Sequence, residues 1–288
     1  MPLLHAPLKC SALEARCSAA EDDAVEALEK TRWPDGLHPD TLCFTVDVEW
    51  ASPPVLADIV GLFDTYGVRA TFFATHAGVD VGAHERGLHP NFRRNGDTYR
   101  SLLARSAEEA LTDAAVQDHI VASTLAFAPE AKGLRAHSLD YDSTLMPVYA
   151  RHGLQYDCSY QMPFYAGLRP FWKQHGILEI PTYFADHFDI IAGATGFDIA
   201  GLGIDRPGLK VLDFHPNIIY LNARDDAEYM ATKAFYHDPQ RLLEARWTGK
   251  GARTLLMDLL EDVAARRRPT ATAGEINAAW RTMAMTWS

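Results

Sequence analysis

Basic residues are few in this 288-residue chain: 27 Lys and Arg stand against 38 Asp and Glu, for a formal net charge of −11. A nucleic-acid backbone or an anionic membrane surface requires a basic face, so neither is an expected partner. Cysteine is scarce as well. Cys10, Cys17, Cys43 and Cys158 form no CxxC pair and no zinc-finger spacing, so they read as free thiols in a reducing compartment. No stretch approaches the ~20 apolar residues of a membrane span. Residues 1–20 lack a continuous apolar run behind a basic start, so no signal peptide is expected. The chain has no internal repeat and no low-complexity segment. Together these absences lead us to expect a soluble cytoplasmic protein.

What is present is a large apolar fraction, 48% of residues, sufficient for a sizeable core. Residues 1–40 read as an N-terminal extension: ALEARCSAAEDDAVEALEK has helical composition, and TRWPDGLHPD breaks it. From Thr41 strands alternate with helices. TLCFTVDV, VRATFFAT, KGLRAHSL, LQYDCSY, ILEIPTYF and KVLDFHPNIIYLN read as strands, and a short run between His84 and His89 fits another. PPVLADIVGLFDTYG, STLMPVYARHG, DDAEYMATKAF and GARTLLMDLLEDVAARR read as helices, and SLLARSAEEALTDAAVQDHIVASTLAF as a long helix or a pair. This rhythm favours a parallel sheet, and about seven strands in some 180 residues suit a closed α/β barrel over residues 41–270. Residues 271–288 read as a helical tail packed on it.

Chemistry in such barrels sits at the carboxyl ends of the strands. Polar residues follow the apolar runs here: Asp47 and Glu49, His76, His89, Arg135 and His137, Asp157, His187 and His215. In TVDVEW, strand alternation puts Asp47 and Glu49 on one face. Two buried carboxylates side by side need a compensating charge, and a metal ion is the leading candidate. His89 opens His-Pro-Asn-Phe, where Pro90 stiffens the backbone. Arg135 and His137 share a face on the same period-two logic. Each residue also has a plainer reading, as a solvated loop histidine, a structural ion pair or a buried histidine bonded to a carbonyl.

In order along the chain, TVDVEW, TFFAT, HERGLHPNF, GLRAHS, LQYDCSY, EIPTYF and DFHPN resemble the polysaccharide deacetylase (NodB-homology, carbohydrate esterase) family. The HPNF and HPNIIYLN segments look closest to its O-antigen biosynthesis branch. The resemblance implies an irregular (β/α)7 TIM-like barrel, a divalent transition metal (zinc first) and hydrolysis of an N-acetyl, less often O-acetyl, group on a saccharide or sugar nucleotide. A cytoplasmic location would favour a sugar precursor over a secreted polymer. Residue by residue it makes Asp47 the catalytic base, Arg135 the residue orienting it, His215 the general acid, and Glu49 and His89 metal ligands. The second histidine of the family's His-x-x-x-His motif falls at Arg93, and arginine cannot ligate a metal. His137 is the expected replacement; His84 and Asn91 are weaker ones. Trp50, Asn91 and Asp157 are candidate substrate contacts, with Asp157 more a brace than a reactant. The alternative is a catalytically impaired carbohydrate-binding barrel of the same fold, which Arg93 would explain. A metal-dependent phosphoesterase barrel is a third reading, but it calls for more histidines and acids than can be placed.

Overall fold

The computed structural model describes residues 33–105 and 112–285. The helical reading of residues 12–30, Cys10 and Cys17 lie outside the described residues. Among the described residues nine strands form one sheet: β1 (Leu42–Asp47), β2 (Ala70–Ala74), β3 (Glu85–Leu88), β4 (Gly133–Leu134), β5 (Tyr156–Asp157), β6 (Phe171–Trp172), β7 (Leu178–Glu179), β8 (Thr182–Ala185) and β9 (Lys210–Phe214). Their order is β6-β7-β5-β4-β3-β2-β1-β9-β8, with every pairing parallel except β6 on β7.

The sheet curls back on itself. Pro181 has no N–H, and it divides the run Leu178–Ala185 into β7, which pairs with β5, and β8, which pairs with β9. Between the two, the Ile180 N–H donates to the Asp157 carbonyl at 2.9 Å and the Thr182 N–H to the Tyr160 carbonyl at 2.8 Å. Counting Leu178–Ala185 as one strand and β6 as a flap gives seven positions around an irregular (β/α)7 barrel.

Alternation along the strands separates two environments. Leu42, Phe44 and Val46 of β1 join Phe72, Leu212 and Phe214 in the core beneath the outer helices Pro53–Tyr66 and Ala252–Arg266. Cys43 and Phe73 belong instead to a second cluster with Tyr156, Cys158, Leu178 and Val211, the filling of the barrel. Two glycines make room for it. A Cβ on Gly87 would stand 2.5 Å from the Phe73 ring, and one on Gly133 2.2 Å from the Tyr156 ring. The amino end of the barrel is closed by helix Ala273–Met285, which buries Ala273, Ile276 and Trp280 in that filling. The Ala273 N–H donates to Thr71 Oγ1 and the Gly274 N–H to Glu85 Oε2, each at 2.9 Å. Among the described residues no helix is long and apolar enough to cross a membrane.

Several readings of the sequence need correction. KVLDFHPNIIYLN is not one strand: β9 ends at Phe214, and Pro216–Leu221 is a helix with proline in its first turn. All six of its residues are buried, which is why its apolar run mimics a strand. β1 ends at Asp47, so Glu49 lies beyond it, in a left-handed turn at φ 51°. β4 ends at Leu134, and His137 opens a tight helical turn. The long helix or pair resolves into Asp97–Arg105 and Asp113–Leu125, with residues 106–111 outside the description.

The segment after β5 is tied down by charge. Lys173 Nζ lies 2.6 Å from both Asp157 Oδ2 and Glu179 Oε2, all three side chains being buried. Burial and the charge of Asp157 push the Glu179 carboxyl up to about 8, with Lys173 opposing. Removing the ammonium leaves two buried acids uncompensated. Lys173→Met is therefore expected to lower stability by about 3–5 kcal/mol in urea denaturation; an unchanged midpoint would show the trio to be dispensable.

Candidate active site

The carboxyl ends of β1, β3, β4, β8 and β9 meet at one mouth of the barrel. Two clusters assemble there. In the first, Glu49 Oε1 lies 2.9 Å from His137 Nδ1 and 3.3 Å from His89 Nε2, and the two nitrogens are 3.3 Å apart. His89 donates from Nδ1 to the Arg135 carbonyl at 2.8 Å, which orients the ring so that Nε2 faces the other two ligand atoms and can coordinate a metal once its proton leaves. Bonds of ~2.0–2.1 Å to a tetrahedral metal would space ligand atoms by about 3.3 Å. One carboxylate oxygen and two imidazole nitrogens at these separations therefore fit a divalent metal, and they leave a position open. Burial alone would raise the Glu49 carboxyl, but hydrogen bonds from His137 and His89, and their charge, hold it far below the usual carboxylate range.

Neither Glu49 nor His137 arrives by strand alternation. Glu49 sits at φ 51°, and Ser138 and Leu139, just after His137, at φ 60° and 56°. Left-handed backbone is unfavourable for residues with a Cβ, so these turns must be held by their surroundings. The Glu49 carbonyl accepts a bond from Thr75 Oγ1, and the Val48 N–H donates to the Phe73 carbonyl.

The second cluster is built on Arg135, which is fully buried. Its Nη1 donates to Asp47 Oδ1 at 2.9 Å and to Asp213 Oδ1, its Nη2 to Thr182 Oγ1 at 3.0 Å and its Nε to the Cys158 carbonyl at 3.1 Å. The Phe73 ring lies beneath the guanidinium at 4.8 Å. Asp47 Oδ1 is also 3.7 Å from His89 Nδ1, which joins the two clusters. Burial pushes the Asp213 carboxyl up to about 7; Arg135 opposes this and Asp47 adds to it. Beyond Asp213, the His215 Nδ1 contacts Asp186 Oδ1 at 2.7 Å, and its backbone N–H donates to Asp186 Oδ2 at 2.8 Å. Burial works against a charged His215, yet Asp186 outweighs it and lifts the imidazole up to about 10.

Both clusters open on a cleft of about 470 Å³ lined by Asp47, Glu49, His137, Asp213 and His215, with Arg93, His187, Tyr229 and Lys233 among its other walls. A larger groove of about 830 Å³, edged by Arg169, Phe171, Trp172 and Trp280, holds none of these acids or imidazoles. Of the other sequence candidates, Trp50 stands at the rim, its ring edge-on to His137 at 5.3 Å. Asn91 turns back to accept the Arg93 N–H at 3.0 Å, which spends its carbonyl oxygen on the turn. Asp157, fully buried beside Lys173 and Ser159, lies outside the cleft, so the substrate contact considered for it is corrected to the bracing role. His84 is remote, packed between Ala70 and Asp64, and His76 lines a separate groove.

Sequence reasoning passed over Asp213 and Asp186. Asp213 stands two residues before His215, the same spacing that drew attention to Asp47 and Glu49. Asp186 directly follows the apolar run of β8, where a strand-end rule would have placed it.

The WbmS-like polysaccharide deacetylase family matches residues 44–233, about two thirds of the chain. The chain belongs to that family. The chain is 29% identical, with a TM-score of 0.63, to a crystal structure from Bordetella bronchiseptica described as a polysaccharide deacetylase involved in O-antigen biosynthesis; the match covers 76% of this chain and 89% of that one. A structure from Mycobacterium smegmatis, also described as a polysaccharide deacetylase, is 15% identical with a TM-score of 0.40, over 84% of this chain and 96% of that one. No curated protein matches the WbmS-like chain.

If Glu49, His89 and His137 hold the ion, Glu49→Ala and His137→Ala should each weaken zinc binding by more than about tenfold in a competition titration, at least the loss seen for outer-shell partners. His84→Gln and Asn91→Ala should leave it unchanged. Equal affinity in all four variants would rule out this ligand set.

Proposed function

We propose that the chain removes an acetyl group, N-acetyl before O-acetyl, from a saccharide or sugar precursor of surface polysaccharide. We place a divalent transition metal, zinc first, at Glu49, His89 and His137. The observation that carries this reading is the convergence on one cleft of a three-donor set with an open position and an arginine-held carboxylate beside it. Family membership supports deacetylation, and the Bordetella bronchiseptica relative's description supports the link to O-antigen biosynthesis.

A divalent metal bound there supplies Lewis-acid polarisation of the acetyl carbonyl and acidifies a bound water. The protein's part follows from its own contacts. Arg135 holds the Asp47 carboxylate in place at the cleft, so Asp47 is the base that takes a proton from the attacking water. Asp213 shares Arg135 and fixes its position. His215 is protonated near neutral pH through Asp186, and because Nδ1 is engaged its proton at Nε2 is the one delivered to the leaving amine. The binding-only alternative rested on Arg93; Glu49, His89 and His137 provide three donors without it.

Asp47→Asn should abolish acetate release from N-acetylated sugars while leaving bound zinc near the wild-type level. Full turnover in this variant would end the proposal. A second expectation concerns pH. His215 must be protonated to act, so activity should fall as pH rises through about 10. Asp186→Asn removes the partner that raises it, and the alkaline limb should move down toward the ordinary ~6.5. The same pairing contributes fully to stability below pH ~6.5, and that contribution is lost as pH rises through about 10. An alkaline limb that does not move in Asp186→Asn would remove His215 from the acid role.

A further inference from the structure

Two cationic side chains line the cleft without a carboxylate partner. Arg93 occupies the turn after His89, where its N–H donates to Asn91 Oδ1 at 3.0 Å and its carbonyl accepts the Gly96 N–H at 2.8 Å. Both bonds use the backbone, so the guanidinium is left exposed to the cleft. Lys233 lies in the short turn Thr232–Phe235. Its ammonium rests over the Tyr229 ring at 4.1 Å and the Tyr236 ring at 4.6 Å, and it donates to the Tyr229 hydroxyl at 2.8 Å. Among the described residues neither side chain has a carboxylate within 4 Å, although Glu49 and Asp226 line the same cavity and their charges reach Lys233.

Acids outnumber bases 38 to 27, and the neighbouring Arg94 is paired with Asp113, as Arg253 is with Asp58. A neutral sugar offers neither cation a counter-charge. An oxyanion does: a guanidinium fork grips two oxygens of one group, and a tyrosine-seated ammonium adds a fixed charge beside it. Glu49 and His137 line the same cavity, so an acetyl group at the metal and an anion at Arg93 and Lys233 can belong to one ligand.

We propose that Arg93 and Lys233 select an acetylated saccharide that also carries an anionic oxygen group, either a sugar carboxylate or a phosphate. The acetyl half of this statement rests on the deacetylase reading; the anionic half stands on the two cations alone.

The test is calorimetric binding of three probes to the zinc-loaded protein: tri-N-acetylchitotriose, UDP-N-acetylglucosamine and 2-acetamido-2-deoxyglucuronic acid. At least one charged probe should bind about tenfold or more tightly than the neutral one, the scale of one charge-assisted hydrogen bond. This preference should weaken with added salt. Arg93→Gln and Lys233→Gln should each collapse it toward one. Preference for the uronic acid assigns the anion to a carboxylate, and preference for the nucleotide sugar to a phosphate. Equal binding of all three, or a preference that survives both substitutions, overturns the proposal. Acetate release is measured separately on the same probes. Charge-selective binding without any acetate release would defeat the deacetylase reading while leaving the anion site in place; acetate release without charge preference would do the reverse.

Discussion

A guanidinium with no access to water sets the terms for the rest of this molecule. Arg135 follows β4, yet its donors end on Asp47 at the end of β1, Asp213 in β9, Thr182 in β8 and the carbonyl of Cys158 just past β5. Five strand ends are thereby held to one point. Burying such a charge is unfavourable unless every donor finds an acceptor in good geometry, so the strands can shift relative to one another only by leaving a charge unmatched. The barrel is irregular, with several two-residue strands, and backbone pairing alone would define its mouth loosely. The buried network supplies the definition that short ladders lack.

The same network separates the two acids at the carboxyl end of β1. Asp47, at the end of the strand, shares Arg135 with Asp213. Glu49, beyond the strand and turned by its left-handed backbone, is free of arginine and meets imidazoles instead. Two carboxylates one residue apart thus acquire different electrostatic partners. Under the proposed function, that division would let one act on a proton while its neighbour serves a cation.

Much of this was legible beforehand. The apolar runs of β1, β2 and β9 stand out because both faces of each strand are buried, and residues at their carboxyl ends are the polar ones. Asp47, Glu49, His89, Arg135, His137 and His215 were all marked, and all line or border one cleft. The reasons given for two of them were wrong: Glu49 and His137 reach the cleft from turns, because pattern reasoning extends a strand until a glycine or proline stops it, and neither interrupts TVDVEW or LRAHSL. The helix at Pro216 was hidden for the opposite reason, since its full burial erases the period that marks a surface helix. Asp186 and Asp213 matter through partners 29 and 78 positions away, His215 and Arg135, and no local pattern reports such distances.

The floor of the barrel has a bearing on how the chain is made. The Leu42 N–H donates to the Pro269 carbonyl, the Ala271 N–H donates to the Leu42 carbonyl, and the Ala273 N–H reaches Thr71 across 202 positions. β1 must therefore wait for residues synthesised more than two hundred steps later before its lower end is covered. During elongation β1 and β2 expose apolar surface and unpaired backbone at that end. Closure is a late event of high contact order, slow by nature and open to aggregation in the interval. A nascent chain of this design has reason to depend on chaperones that its finished form does not need.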